Sequence, residues 1–245
     1  MVQVVGVSTD VALGATLPVS EVYGPVYQGE GPYAGRRVYF LRLGLCNLRC
    51  SWCDTPYTWD TKRFDVAAEC PPLTVPQITE HLTDPYAPLV LSGGEPLIHQ
   101  GTAAMAKLLA TIPNDVHVET NGTTAPNQLM RERVAWWSVS PKLHDQGDPV
   151  ARRIHPTVLR EFAALAWDGR AGFKVVCRTP GEVARVAEFA DDLQVARRDV
   201  WIMPEGTDAG TIIRTASAIE DTALEHGFNL TLRQHVLLHG SERLR

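Results

Sequence analysis

Cys46, Cys50 and Cys53 lie in the run CNLRCSWCDT, a C-x3-C-x2-C spacing that puts three thiols on one short loop. A cubane iron-sulfur cluster ordinarily takes four cysteine ligands. Three would leave one iron open, and an open iron can hold a small chelating molecule, so the loop predicts chemistry rather than simple electron storage. Zinc completed by a histidine is the alternative that spacing leaves standing. Such sites usually arrive as paired C-x2-C groups or C-x2-C with H-x3-H, and the chain has no second pair. Cys70, beside Pro71 and Pro72, reads as a loop thiol, and Cys177, which closes the apolar run FKVVC, as a core thiol.

Other polar clusters could meet a ligand. In YQGEG (27–31), Gln28 offers both donors and acceptors and Glu30 accepts from amino and ring N–H groups, with a polar turn around Gly29 and Gly31 as the plain alternative. Arg42 precedes the cysteine loop, where its guanidinium fork suits a carboxylate or a structural ion pair. The glycines of SGGEP (92–96) allow close backbone approach or a simple turn. Glu119 stands beside an Asn-Gly turn in ETNGT, Ser140 and Lys142 of SVSPK could serve an anion, and Thr55 reads as a turn residue before Pro56.

These clusters need elements to position them. Short β-branched or aromatic runs occur at 38–43, 88–93, 116–120, 136–140, 173–177 and 200–203, and apolar residues at helical spacing fill 102–112, 155–167, 180–193 and 208–227. Pro156 and Pro180 suit helix starts, and Gly227 suits a helix end. Strands alternating with helices predict parallel βαβ units, whose ligands gather at the carboxyl ends of the strands. Six strands are too few for an eight-stranded barrel. The expectation is an α/β chain folded as a partial, open (βα)6-type barrel, although periodicity alone also allows a doubly wound sheet. One domain is expected over 1–245, with residues 1–19 an added strand or a loosely held N-terminal arm.

Composition narrows the partners. The formal net charge is -5 and no Lys/Arg-rich run occurs, which argues against nucleic acid or an anionic membrane and for a small-molecule substrate. No apolar run approaches the roughly 18 residues needed to span a bilayer. The N-terminus lacks a secretory pattern, and five cysteines, three of them clustered, fit a reducing cytoplasm.

The cysteine spacing resembles the signature of the radical S-adenosylmethionine (SAM) enzymes. More specifically, the segment 21–60, with its QGEG and CDT motifs, followed in order by LSGGEPL, ETNGT, SPK, FKVV and MPEG, resembles the 7-carboxy-7-deazaguanine synthase family from about residue 17 to the QHVLL run at 234–238. The resemblance implies the open radical SAM barrel, a 4Fe-4S cluster on Cys46, Cys50 and Cys53, SAM, and Mg2+ on the Thr55 hydroxyl. The implied reaction contracts the ring of 6-carboxy-5,6,7,8-tetrahydropterin to 7-carboxy-7-deazaguanine with loss of ammonia, in the route to queuosine and other 7-deazapurines.

Carried over residue by residue, the resemblance assigns to SAM the segment Trp52, Cys53 and Asp54, then Gly94 and Glu95, then Glu119, which would accept from the ribose hydroxyls. It adds Ser140, Pro141 and Lys142, and the adenine-edge segment Met203, Pro204, Glu205 and Gly206. To the pterin it assigns Tyr27, Gln28, Gly29 and Glu30, with Arg42 on the carboxylate, Ser92, and His235, whose alternative is packing beside VLL. A one-electron donor such as flavodoxin or ferredoxin and a homodimer are also implied.

Two places depart from the family pattern. Leu45 stands where glycine is common, so a backbone requiring positive φ would be strained there. The tail HGSERLR differs at His239 and Leu244, which puts closure of the substrate site by the C-terminus in question. Two rivals share only part of the pattern. A glycyl-radical activating enzyme has no reason to carry QGEG or CDT, and an electron carrier would want a fourth cysteine and no SAM pocket.

Overall fold

Seven parallel strands form most of one open sheet, and their carboxyl ends carry the segments singled out above. The computed structural model describes residues 16–144, 147–240 and 242–244. Among them, nine strands are hydrogen-bonded in the order β3-β1-β2-β4-β5-β6-β7-β8-β9. They are β1 (Thr16–Tyr27), β2 (Arg37–Leu43), β3 (Pro72–Thr74), β4 (Leu89–Gly93), β5 (Val116–Thr120), β6 (Val134–Val139), β7 (Ala171–Cys177), β8 (Val200–Pro204) and β9 (Asn229–Leu230). From β2 onward, neighbours in the sheet are parallel, whereas β1 runs antiparallel to both β2 and β3. Among the described residues the sheet does not close: β3 and β9 are its two edges.

The crossover helices are α1 (Ala103–Thr111), α2 (Pro156–Trp167), α3 (Pro180–Leu193) and α4 (Ala209–Glu225), with a short α5 (Gln234–His239) near the C-terminus. Their starts are written in the sequence. The side chains of Thr102, Thr179 and Asp208 accept from backbone N–H groups one turn on, and Pro156 and Pro180 occupy first-turn positions. α4 ends as anticipated, with Gly227 at φ 72°. Buried residues recur at three-and-four spacing, as with Leu159, Phe162, Ala163 and Ala166 on α2 and Val183, Val186, Ala187 and Ala190 on α3.

Alternation along the strands separates two environments. Tyr39, Leu41, Leu43, Leu89, Leu91, Val116, Val118, Trp137, Val139, Phe173 and Val175 face the helices and form the main core. Their strand neighbours turn the other way, into the concave side. There Val38, Phe40 and Val90 form a second, small cluster, and Arg42, Ser92, Glu119, Lys174 and Met203 line a cavity. Below that cavity, Tyr33 packs on His117 and Trp136, at 4.4 and 5.3 Å between ring centres, and Trp136 meets Trp201 edge-on. Gly172 makes room for these rings, since a Cβ there would lie 2.5 Å from a ring carbon of Trp201.

Residues 16–19 of the expected arm are the start of β1, a 12-residue strand that continues through EVYGPVY. The strand was hidden by Gly24-Pro25, which reads as a turn but lies in a register shift between Tyr23 and Val26, where a missing N–H is tolerated. Residues 1–15 of the arm lie outside the described residues. Cys70 lies in the loop before β3 but is buried there, 6% exposed and pressed against Gly44, while Cys177 is fully buried in the core. No helix among the described residues is long and apolar enough to cross a membrane.

Candidate active site

The loop after β2 and the backbone after β4 are built against one another. Leu45, one residue before Cys46, has φ 68°, the left-handed conformation expected to be strained in a leucine. Its N–H donates to the Thr58 carbonyl at 2.7 Å, and its own carbonyl accepts from Glu95 N–H at 2.9 Å. A Cβ on Gly94 would sit 1.8 Å from that carbonyl oxygen, and a Cβ on Gly93 2.1 Å from the Leu43 oxygen. The glycine pair is therefore required by contact between the two loops, independently of any ligand. Gly94 N–H is used on the Leu43 carbonyl, at 2.9 Å.

All five cysteines are free, and Cys46, Cys50 and Cys53 open onto one cavity of about 600 Å³. Leu48 N–H donates to Cys46 Sγ at 3.4 Å and Trp59 Nε1–H to Cys53 Sγ at 3.3 Å. Donors aimed at sulfur suit metal-bound thiolates, whose potential they tune. Burial pushes the Cys46 thiol up to about 12 and the Cys50 thiol to about 11, so cluster assembly must displace their protons. Among the described residues no three His, Cys, Asp or Glu side chains are placed to hold a single ion. The donor set, the sulfur-directed N–H groups and the glycine contact fit a cluster held by three cysteines.

Most of the predicted residues gather around this cavity. Its wall includes Trp52, Asp54, Thr55, Gly94, Glu119, Ser140, Lys142 and Met203 through Gly206, together with Tyr27, Gln28, Gly29, Glu30, Arg42, Ser92 and His235. Thr55 Oγ1 lies 3.7 Å from Cys53 Sγ. Lys142 Nζ donates to Ser140 Oγ at 3.0 Å and lies 5.6 Å from the centre of the Trp52 ring. Gly29 admits His235, because a Cβ at Gly29 would lie 2.2 Å from the His235 Nδ1.

Two of the predicted residues do not line it. Glu95 is fully buried, and its carboxylate accepts from Leu97 N–H, Thr120 Oγ1–H and Asn121 N–H at 3.1, 2.8 and 2.7 Å. The structure thus gives Glu95 the task of tying the loop after β4 to the loop after β5. Pro141 is buried between Ser140 and Lys142 without reaching the cavity. Arg42 does line it, but with its Nε donating to Glu21 Oε2 at 2.6 Å, so the ion-pair alternative is realised on one edge of the guanidinium.

A charge network ties the loops together. Lys174 Nζ meets Glu30 Oε2 in a short contact and lies 3.4 Å from Glu119 Oε1. Arg233 donates from Nε to Glu30 Oε1 at 3.0 Å, from Nη1 to the Gly206 carbonyl at 2.8 Å, and from Nη2 to Asp54. One guanidinium therefore joins three loops. Burial pushes the Glu30 carboxyl up, but Lys174, Arg233 and His235 overcome this and hold it well below the usual carboxylate range. Ser92 Oγ–H donates to Glu119 Oε2 at 2.8 Å, and Gln28 Nε2–H to Glu119 Oε1 at 3.4 Å.

Lys174 and Arg233 were not among the predicted residues. A lone lysine inside the apolar run FKVVC was a readable signal for a charge turned into the concave side, but nothing local marks Arg233. At the mouth, Arg243 donates from Nε to Glu21 Oε1 at 2.6 Å and lies 4.0 Å from the centre of the Tyr57 ring. The divergent tail therefore reaches the cavity, whose wall includes Gly240, Glu242, Arg243 and Leu244.

Known proteins resemble the chain in sequence and in fold. The 4Fe-4S single cluster domain family matches residues 27–136. The chain is 33% identical to the 7-carboxy-7-deazaguanine synthase of Halobacterium salinarum over 92% of its own length and 91% of that relative. It is 34% identical to that of Hyperthermus butylicus, over 93% and 94%. In fold it resembles the crystal structure of QueE from Escherichia coli, with TM-score 0.63, 19% identity, and 93% of this chain and 99% of that one covered.

Proposed function

The chain belongs to the 7-carboxy-7-deazaguanine synthase family, and from that premise we propose that it contracts 6-carboxy-5,6,7,8-tetrahydropterin to 7-carboxy-7-deazaguanine with release of ammonia. The observation that carries this is the shared cavity: the three-cysteine loop opens onto the same space as Glu30, Arg42 and Glu119. When bound on Cys46, Cys50 and Cys53, a 4Fe-4S cluster would supply the one-electron reduction of SAM that hydrogen removal at C6 of the pterin requires.

The protein's share is binding, orientation and exclusion of competing reactions. Cys46, Cys50 and Cys53 would hold the cluster. Gly94 would meet the SAM amino group, Lys142 and Ser140 its carboxylate, Glu119 its ribose, and the segment from Met203 to Gly206 its adenine, all of them in the wall of the cavity. At the other ligand, Glu30 presents a carboxylate kept ionised by two cations, and Gln28 lies beside it, so together they suit the donor-rich edge of a pterin. The guanidinium of Arg42, which also donates from Nη2 to Tyr23 Oη at 3.4 Å, suits the pterin carboxylate. Thr55 offers Mg2+ one hydroxyl, and because Asp54 is engaged by Arg233, the remaining ligands would be substrate oxygens and water. The proposal also includes a one-electron protein donor such as flavodoxin or ferredoxin, a cytoplasmic setting and a homodimer.

Anaerobic reconstitution with iron and sulfide, followed by incubation with SAM, reductant and the carboxypterin, tests it. 7-Carboxy-7-deazaguanine should form, and Cys50→Ala should abolish both iron binding and product while Cys70→Ala retains them. Product formation by Cys50→Ala, or iron loss in Cys70→Ala equal to that in Cys50→Ala, would contradict the three-cysteine site.

A further inference from the structure

We propose that Lys174 is a positioning residue shared by both ligand subsites, one ammonium holding the carboxylate that meets the pterin and the carboxylate that meets SAM. This rests on the assignment of Glu30 and Glu119 given above.

Lys174 lies in the middle of β7, in a stretch buried on both faces, and its side chain is only 6% exposed. An ammonium in such a place needs hydrogen-bonded anions around it. It has two, Glu30 from the loop after β1 and Glu119 from the end of β5. The two carboxylates are not equally provided for. Glu30 also has Arg233, whereas the other groups bonded to Glu119, Ser92 and Gln28, are neutral donors. Among the described residues, Lys174 is the cation that pairs with Glu119.

A second thread joins the same two places. Gln28 donates to Glu119 through Nε2 and accepts from the Glu30 N–H through Oε1, at 3.3 Å. The amide fixes the backbone, and the ammonium fixes the charge. Without Lys174, Glu30 would keep Arg233, but Glu119 would stand near it as a second, partly buried carboxylate with no paired cation, which drives one of the two to take a proton or turn away. Either response spoils an acceptor on which a ligand depends. A residue serving only one ligand would not have this double effect.

Equilibrium titration of anaerobically reconstituted protein decides the matter, with SAM titrated alone and carboxytetrahydropterin titrated at saturating SAM. Iron content and thermal melting serve as controls. In Lys174→Met both dissociation constants should rise roughly tenfold or more with iron content retained, and Lys174→Arg should recover part of both losses. Should Lys174→Met not fold, Glu30→Gln and the double variant Glu30→Gln/Lys174→Met replace it, and the double variant should bind SAM roughly tenfold more weakly than Glu30→Gln. Weakening of one ligand only, or of neither, overturns the shared role and leaves the site assignment standing. A parent protein that binds SAM but not the carboxypterin overturns both.

Discussion

At the scale of single residues, Leu45 shows how local chemistry and family pattern converge. A leucine held at φ 68° carries a left-handed penalty of roughly 1–2 kcal/mol, partly offset in any glycine replacement by the entropy glycine adds to the unfolded chain. Leu45→Gly should therefore stabilise the protein by about 1 kcal/mol and leave turnover unchanged. A denaturation midpoint that moves down instead would mean the leucine side chain, although half exposed, contributes packing that outweighs the strain. On the proposed assignment Arg42 and Thr55 have separable tasks. Arg42→Ala should raise KM for the carboxypterin, by an amount corresponding to roughly 2–5 kcal/mol if the contact is fully desolvated, with SAM affinity kept. Thr55→Ala should weaken the response to Mg2+ with SAM affinity likewise kept. Titration of both ligands and of Mg2+ checks these outcomes, and loss of SAM binding in either variant would contradict the division.

At the scale of elements, the alternation of the parallel strands explains both what was legible and what was not. The six main strands and four long helices stand close to where periodicity puts them, because each has a local signature. So do the ligand loops, which carry glycine pairs, Asn-Gly turns and clustered cysteines. The partners of those loops do not. Arg233 is separated by 203 residues from Glu30 and 179 from Asp54, and a pairing over that distance leaves no mark on its neighbours. Glu95 fails differently: its motif is real, but its carboxylate faces inward to join two loops.

The same alternation places His117 on the floor of the concave side, one residue from the main core. Burial pushes its imidazole down from an ordinary 6.5 to about 4. Between those values the unfolded chain binds the proton and the folded one does not, so stability falls as pH drops from about 6.5 toward 4. His117 contributes on the order of 3 kcal/mol to that loss. His144, pushed down to about 4 by its own burial, adds to the slope. His117→Gln should flatten the pH dependence of the unfolding free energy in this window without abolishing it. An unchanged slope would place the proton uptake elsewhere.

At the scale of the whole molecule, one cavity draws on nearly the full described length of the chain, from Glu21 on β1 to Leu244 in the tail. Ligands assigned to chemistry come from loops after successive strands, while Lys174 and Arg233 connect those loops across the opening. The tail adds a second layer: Glu21 takes both Arg42 and Arg243, so a residue beside the proposed substrate carboxylate site is tied directly to the C-terminus. This arrangement agrees with a reaction in which two small ligands must meet with a cluster in a confined space. On the proposed function, the radical formed from SAM acts on the pterin held by Glu30 and Arg42. The direct measurement is the isotope content of 5'-deoxyadenosine after turnover with carboxypterin deuterated at C6. Deuterium should appear in the 5'-deoxyadenosine as 7-carboxy-7-deazaguanine accumulates; 5'-deoxyadenosine that forms equally well without the pterin and carries no deuterium with it would contradict the account.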